Sequence, residues 1–280
     1  MINASVTIAI PVYNGMPFLK DTIQSVINQT YRNWILYLIN DGSSDDSLTL
    51  MQEFVDKDTR IKIINDGENK GLISRLNQSI SMCDTKYYAR MDADDIMYVT
   101  RIEEQVKFLE SQPDVDVCGT SIMTIDNNNK IIGSGYYDGP VKGFVHPTVM
   151  GKTEWFKANP YADWALRAED LELWIRTADH SKFYALGKPL LFYREFGIPT
   201  FNKYFLSQKT VLNIARRYRE YGFNFSWYIR MISSTYAKII ISVLYAILGK
   251  SDSLVAKRKR NIVPYTIRLT QDDLEISIKP

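Results

Sequence analysis

Short apolar runs alternate with amphipathic segments over about the first 195 residues of the chain. Five runs rich in β-branched and aromatic residues predict strands, at residues 6–10, 34–39, 61–64, 86–91 and 115–125. Apolar residues at helical spacing predict helices at residues 18–30, 47–55, 71–82, 101–110 and 170–178. We expect Pro11 to end the first strand. The alternation predicts an α/β fold with a largely parallel sheet covered by helices on both faces.

From about residue 200, long helical patterns replace this alternation. The segment from Tyr228 to Leu248 gathers apolar residues on one predicted face and polar residues on the other, with Lys238 near its centre. Its apolar content is too short for a membrane span of about 20 residues. We predict an interfacial helix, flanked by Trp227 and by the basic run Lys257–Arg260. The alternative is that the helix packs on the α/β body and that the basic run is solvated. The predicted apolar face consists of Ile232, Tyr236, Ile239, Val243 and Ile247.

The formal net charge of +2 conceals an asymmetry along the chain. Residues 1–198 carry 20 Lys/Arg and 27 Asp/Glu, whereas residues 199–280 carry 14 and 5. We therefore predict two domains, an acidic α/β body at residues 1–198 and a basic helical extension at residues 199–280 that contacts an anionic membrane surface. No helix-turn-helix, zinc-ligand or RNP-like pattern accompanies the basic residues, so nucleic acid is not an expected partner.

Cysteine content and the N-terminal stretch bear on the compartment. Cys83 and Cys118 give no disulfide framework, and the stretch that begins at Met1 lacks the charged and apolar regions of a secretory signal. These features predict a cytoplasmic protein.

Polar clusters follow three of the predicted strands, at residues 11–14, 41–44 and 92–95. In open α/β sheets, ligands bind outside the carboxyl ends of the strands. Neither GxGxxG nor GxxxxGK[ST] occurs after the first strand, so neither a common dinucleotide fold nor a P-loop is supported. A group other than a glycine-rich loop must therefore neutralise any bound phosphate.

The run Asp92-Ala93-Asp94-Asp95 is the strongest candidate for that group. If the run is extended, Asp92 and Asp94 point to the same side and can share one hard cation through oxygen ligands. The alternative is an ordinary polar turn or the acidic start of a helix. A cation held by two carboxylates needs a further anionic ligand, such as a substrate diphosphate.

Nine short segments occur in a fixed order over about residues 5–195: Pro11-Val-Tyr-Asn14, Asn40-Asp-Gly-Ser-Ser-Asp45, Asn69-Lys-Gly-Leu72, Leu76-Asn77, Asp92-Ala-Asp-Asp95, Arg101, His146-Pro147, Ala168-Glu-Asp-Leu171 and Trp174. This ordered set resembles the inverting glycosyltransferases of family 2, which have the GT-A fold. The resemblance implies a mostly parallel mixed sheet flanked by helices. The QxxRW signature of processive polymerases is missing after Trp174, which favours the addition of a single sugar.

The resemblance also implies roles for individual residues. Asp94 would hold a divalent Mn or Mg ion, and Asp170 would be the catalytic base, with Glu169 as its alternative. His146 and Trp174 would lie on the acceptor side. The residues implied for nucleotide binding are Pro11, Tyr13, Asn14, Asp41, Asn69, Gly71, Asp92 and Ala93.

These features together predict a metal-dependent transferase that moves one sugar from a nucleotide-sugar donor, expected to be a UDP-sugar. The predicted acceptor is a lipid-linked oligosaccharide or a surface polysaccharide such as O-antigen or capsule. We expect the protein to lie on the inner face of a bacterial cell membrane. Two alternatives are a sugar-nucleotide nucleotidyltransferase and a non-catalytic, membrane-associated module that binds nucleotide sugars.

Overall fold

A computed structural model describes residues 3–195, 201–217, 219–247 and 263–280. Its strands in chain order are β1 (Val6–Val12), β2 (Trp34–Asn40), β3 (Ile61–Asn65), β4 (Tyr87–Arg90), β5 (Ile96–Met97), β6 (Val117–Ile125), β7 (Ile131–Gly135), β8 (Gly139–Pro140), β9 (Met150–Lys152) and β10 (Phe183–Arg194). Its helices are α1 (Leu19–Ile27), α2 (Ser47–Val55), α3 (Leu72–Ser81), α4 (Arg101–Ser111), α5 (Thr153–Ala158), α6 (Glu169–Thr177), α7 (Phe201–Arg216), α8 (Phe225–Ile247) and α9 (Gln271–Ile278).

The described strands form one mixed sheet, of which eight lie in the order β3-β2-β1-β4-β9-β6-β10-β5. Outside this order, β7 pairs with β6 and β8 pairs with β10. The first four strands are parallel to one another, and β6 is parallel to β10. The short strand β9 lies antiparallel between β4 and β6 and so joins the two parallel parts. The predicted α/β fold with a mostly parallel sheet and flanking helices is confirmed.

Apolar residues of β1, β2 and β4 pack against α1, α2 and α4 in the largest hydrophobic cluster. Strand β1 is buried at nearly every position, from Val6 to Val12. A strand with near-continuous apolar residues is expected where helices cover a parallel sheet. This core fixes the carboxyl ends of β1, β2 and β4 at one edge of the sheet.

One predicted strand end is wrong, and one stretch without predicted elements contains several. Pro11 does not end β1, because it pairs with Ile39 of β2 on one side, while pairing with β4 stops at Ala9. Proline has no backbone N–H to donate, but no hydrogen bond to β4 is lost because that pairing has already ended before Pro11. Residues 131–163, which contain no predicted element, include β7, β8, β9 and α5.

Strand β10 is also absent from the sequence prediction. Gly187 and Pro189 interrupt its apolar pattern, and the structure accommodates them as irregularities in the pairing with β6. An extra residue in one strand of a pair is a β-bulge, which shifts the alternation of side chains. The apolar residues before and after the bulge therefore do not share one continuous pattern.

The chain divides into two compact units, and the division differs from the predicted boundary at residue 198. One unit comprises residues 1–160, 178–195 and 261–280, and the other comprises residues 161–177 and 196–260. Within the first unit, α9 contacts α1 and β5. The single extension at residues 199–280 stays a prediction, but its described C-terminal segment, residues 263–280, lies in the same unit as the sheet.

In the second unit, α8 contacts α7 and leaves part of its apolar surface exposed. Of the predicted apolar face, Ile232, Ile239 and Val243 are partly buried, whereas Tyr236 is exposed. None of the helices in the described ranges is long and apolar enough to cross a membrane. The basic run at residues 257–260 lies outside the described residues. The exposed apolar stripe of α8 consists of Phe225, Ile229, Tyr236, Ile240 and Leu244, each between 46% and 62% exposed.

Candidate active site

The aspartate run at residues 92–95 lies in a turn between β4 and β5. One carboxylate oxygen each from Asp92, Asp94 and Asp95 lies within 4.8 Å of the other two. The run is a turn and not extended, because β4 ends at Arg90, but the carboxylates of Asp92 and Asp94 lie close together as expected. The turn brings a third carboxylate, that of Asp95, to the same place.

The Thr22 hydroxyl of α1 fastens this turn. It donates to the carbonyl oxygens of Ala93, at 3.0 Å, and Asp95, at 2.8 Å. The Ser25 hydroxyl, one helical turn later, accepts the Met97 N–H at 3.0 Å. Helix α1 thus holds the backbone on both sides of the acidic turn, which limits the positions that its carboxylates can take.

Burial and mutual repulsion disfavour the charges of the acidic turn. Burial, followed by the charge of Asp92, raises the pKa of Asp94 to about 6. Burial and the charge of Asp92 also raise the pKa of Asp95 well above its usual range. Arg90, two residues before Asp92, forms an ion pair with the Asp92 carboxylate. A bound divalent cation would favour the ionised forms of these crowded carboxylates.

The donor set fits a hard divalent cation. All three side chains offer carboxylate oxygens, which Mg and Mn prefer over softer ligands. Asp95 Oδ1 accepts the Arg194 N–H at 2.8 Å, whereas its buried Oδ2 has no hydrogen-bond partner among the described residues. A buried, unsatisfied carboxylate oxygen is costly, and a cation would satisfy it.

Asn14 joins the loops that follow β1 and β2. Its N–H donates to the Ser43 hydroxyl at 3.0 Å, and its side-chain oxygen accepts the Ser44 N–H at 2.8 Å. Its backbone is left-handed, with φ of 51°. Tyr13, the preceding residue, exposes 58% of its surface. An aromatic ring on a loop braced in this way is available for stacking against a ligand, and its predicted contact with the nucleotide base stays a prediction.

Asp41 is buried and bonded within the protein. Its Oδ1 accepts the Lys70 N–H at 2.7 Å and Arg75 Nε at 2.9 Å, and both oxygens lie 3.1 Å from the Gly71 nitrogen. Arg75 is fully buried and also binds Asp66. Asp41 therefore fixes the loop before α3, a role that the sequence did not indicate. Its predicted contact with the base or ribose stays a prediction.

The loops after β2 and β3 approach closely at Gly42. A Cβ on Gly42 would lie 2.9 Å from the backbone nitrogen of Asn69, and the glycine φ is +70°. Asn69 itself is exposed, and Gly71 has a φ of +82° at the start of α3. Five of the predicted nucleotide-binding residues thus lie on three adjoining loops after β1, β2 and β3, namely Tyr13, Asn14, Asp41, Asn69 and Gly71. Pro11 lies within β1, and Asp92 and Ala93 lie in the acidic turn after β4.

His146 is buried in a 3-10 turn, His146–Thr148, beside β4 and β6. Burial, and then the positive charge of Arg90, hold its pKa well below the usual range of histidine. The imidazole is therefore neutral at neutral pH. Its predicted place on the acceptor side stays a prediction.

Three further predicted residues, Glu169, Asp170 and Trp174, lie on α6 in the second compact unit. Glu169 and Trp174 are buried, whereas Asp170 is partly exposed. The Asp170 carboxylate accepts the Leu171 N–H at 2.8 Å. A general base must reach the proton that it removes, so exposure favours Asp170 over Glu169.

Two arginines beside the acidic turn have no predicted role. Arg101 is fully buried and donates to the Arg90 carbonyl at 3.1 Å, and burial lowers its pKa to about 9. Arg194 ends β10 and contacts the acidic turn directly. The sequence does contain a sign that Arg194 could lie at the site. It follows the apolar run that begins at Phe183, so it is expected at the carboxyl end of a strand.

Residues 7–160 match the model of glycosyl transferase family 2. An uncharacterised glycosyltransferase of Haemophilus influenzae is 38% identical over 137 residues, which cover 49% of this chain and 42% of that protein. The chain thus spans less than half of that relative's length.

Two solved structures have similar folds at low identity. The Staphylococcus aureus TarS fragment 1–349 in complex with UDP-GlcNAc has a TM-score of 0.66 at 12% identity, and the alignment covers 91% of this chain and 76% of that one. The Pyrobaculum calidifontis mannosyltransferase PcManGT in complex with GDP-Man and Mn²⁺ has a TM-score of 0.59 at 13% identity, with 98% and 86% covered. By its family model, this chain belongs to glycosyl transferase family 2.

Proposed function

We propose that this protein is an inverting glycosyltransferase that moves one sugar from a nucleotide-sugar donor, a UDP-sugar, to a lipid-linked oligosaccharide or a surface polysaccharide. The observation that carries the proposal is the cluster of three carboxylates, within 4.8 Å of one another, at the carboxyl end of β4. Two proteins of similar fold have been solved in complex with nucleotide sugars, one with UDP-GlcNAc and the other with GDP-Man and Mn²⁺.

In this proposal, Asp94 with Asp92 and Asp95 holds Mn or Mg at the donor diphosphate. Bound there, the cation would stabilise the negative charge of the departing nucleoside diphosphate. The loops that carry Tyr13 and Asn69 hold the nucleotide. Their bracing by internal hydrogen bonds supports this role, because a fixed loop loses little entropy when a ligand binds.

Asp170 is the proposed catalytic base. An acceptor hydroxyl is a poor nucleophile near neutral pH, and a carboxylate that takes its proton contributes roughly a hundredfold or more. A single displacement at the anomeric carbon then inverts its configuration: the acceptor oxygen bonds to that carbon as the bond to the diphosphate oxygen breaks. The partial exposure of Asp170 supports the assignment.

A donor screen with Mn²⁺ tests the reaction. Purified protein incubated with UDP-, GDP- and dTDP-sugars should slowly release nucleoside diphosphate, most from a UDP-sugar. Asp94→Asn should abolish this release and Mn²⁺ binding. Asp84→Asn, an exposed aspartate in the first unit, is the matched control and should behave like wild type. If the protein instead converted the UDP-sugar and added pyrophosphate into UTP and sugar 1-phosphate, it would be a nucleotidyltransferase and the transferase proposal would be contradicted.

A second experiment tests the base. Asp170→Asn should reduce transfer at least about a hundredfold while donor affinity stays near that of wild type. Asp163→Asn changes an exposed aspartate of the same unit and should leave transfer unchanged. Normal turnover by Asp170→Asn, together with loss of transfer in Glu169→Gln, would show that Glu169 and not Asp170 is the catalytic base.

We further propose that α8 lies on an anionic membrane surface, the inner face of a bacterial cell membrane. The exposed apolar stripe of α8 supports this, because burying such a stripe among acyl chains is favourable. The excess of positive charge in residues 199–280 supports attraction to anionic lipid.

Co-sedimentation with vesicles tests this contact. Wild-type protein should bind vesicles that contain phosphatidylglycerol more tightly than vesicles of phosphatidylcholine alone. Replacing Ile229, Ile240 and Leu244 together by serine should abolish binding without loss of stability, since all three are exposed. Ser234→Ala, an exposed change elsewhere on α8, is the control. Undiminished binding by the triple variant would refute the proposal.

A further inference from the structure

Arg194 contacts the acidic turn through its backbone and its side chain. Its N–H donates to Asp95 Oδ1 at 2.8 Å, and its Nε donates to the carbonyl oxygen of Asp94 at 2.7 Å. The side-chain bond goes to the backbone of the turn and not to a carboxylate. Arg194 thus fixes the turn while leaving the Asp94 carboxylate available to a cation.

The rest of the guanidinium binds the hairpin turn between β6 and β7. Nη1 donates to the Asp126 carbonyl at 2.5 Å, and Nη2 donates to the Asn129 side-chain oxygen at 2.6 Å. The guanidinium carbon lies 4.1 Å from the centre of the Phe18 ring. One buried side chain therefore joins the acidic turn, the hairpin and the start of α1.

The hairpin itself is held from two directions. Asn129 Nδ2 donates to the Asp21 carboxylate of α1 at 3.0 Å, and Gln271 of α9 donates to the Asn129 carbonyl at 2.9 Å. Arg194 therefore binds the acidic turn against a fixed support. A planar guanidinium with several directed donors suits such a junction, because its geometry is set before the bonds form.

Rotation or displacement of the turn would separate its carboxylates. Metal affinity depends on how well the ligand atoms are held at the required distances, and groups that orient the ligands contribute strongly to it. Loss of the Arg194 side chain would release the Asp94 carbonyl, and only the bond from the Arg194 N–H to Asp95 Oδ1 would still hold the turn to β10.

We propose that Arg194 is a positioning residue that holds Asp94 and Asp95 in the arrangement that binds the divalent cation. The inference rests on the proposed metal site for its consequence, but the ordering of the turn by Arg194 is testable without metal.

Hydrogen–deuterium exchange of residues 91–97 in metal-free protein tests the ordering. Arg194→Gln should exchange at least about tenfold faster than wild type across this peptide. Arg60→Gln is the matched control, because Arg60 also contacts an aromatic ring, that of Trp34 at 3.7 Å, and a carboxylate, that of Asp58 at 2.6 Å. Wild-type exchange in folded Arg194→Gln would overturn the inference.

Mn²⁺ binding, followed by electron paramagnetic resonance, tests the consequence. Arg194→Gln should lose at least about tenfold in Mn²⁺ affinity, and Arg60→Gln should not. If Arg194→Gln does not fold, Arg194→Lys replaces it: lysine keeps the charge but not the planar set of donors, so the same losses are expected. Absence of Mn²⁺ binding by wild type would refute the proposed metal site, whereas the exchange result by itself decides the positioning role.

Discussion

Leu274 provides a direct test that the C-terminal segment belongs to the sheet-containing unit. Its side chain is fully buried in a cluster with Ile96, Met123, Ile125 and Phe192. Leu274→Ala removes the equivalent of about three methylene groups, at ~0.8 kcal/mol each. The cavity left behind adds to this loss, so the free energy of unfolding should fall by about 3 kcal/mol.

Ile276 is the matched control on the same helix. It is 57% exposed, so Ile276→Ala should change the free energy of unfolding by less than about 0.5 kcal/mol. Urea unfolding followed by circular dichroism gives the change in free energy of unfolding for each variant. Faster hydrogen exchange in β10 of Leu274→Ala would show that the loss of stability lies in the first unit. Equal free energies of unfolding for the two variants would refute the packing of α9 against the sheet.

The result also governs how the membrane proposal is tested. Deleting residues 225–280 would remove α9 together with α8. Asn28 Nδ2 donates to the carbonyl oxygens of Ser277, at 3.0 Å, and Lys279, at 2.7 Å, so this deletion would disturb α1 beside the acidic turn. Substitutions on the exposed apolar stripe of α8 avoid that ambiguity.

Three further predictions concern local stability. Gly42→Ala should lower the free energy of unfolding, measured with urea, by about 1–3 kcal/mol more than Gly67→Ala does. Both glycines have positive φ, but only at Gly42 would an added Cβ clash with its neighbours. Equal losses in the two variants would contradict this. Thr270→Ala should cost about 1 kcal/mol by the same assay, since Thr270 forms a capping box with Asp273, and no loss would refute the cap. The pKa of His146 is lowered by burial, so the unfolded chain takes up its proton first and stability should fall as pH drops below about 6.5. His146→Gln should reduce that slope between pH 8 and pH 5.5, and an unchanged slope would contradict the assignment.

Local patterns determined most of the elements. The helix Ser47–Val55 has the predicted bounds, and the first four strands lie where their apolar runs lie. Such runs and periodicities involve residues close in sequence, so they can be read without knowledge of the fold. The acidic turn was likewise found from its sequence, because a cluster of carboxylates at a strand end is visible without knowing where its neighbours are.

Tertiary structure decided how that cluster is held. Arg194 contacts Asp94 across 100 positions of sequence, and Asn28 contacts Ser277 across 249. No local pattern encodes such pairs, because they depend on which strands become neighbours in the sheet. The sequence by itself determined that three carboxylates follow the fourth strand, and it predicted a metal site there; the predicted nucleotide-binding residues stay a prediction. Only the fold determined that a turn gathers three carboxylates and that a buried arginine braces it, since both depend on the packing of β5, β6 and β10.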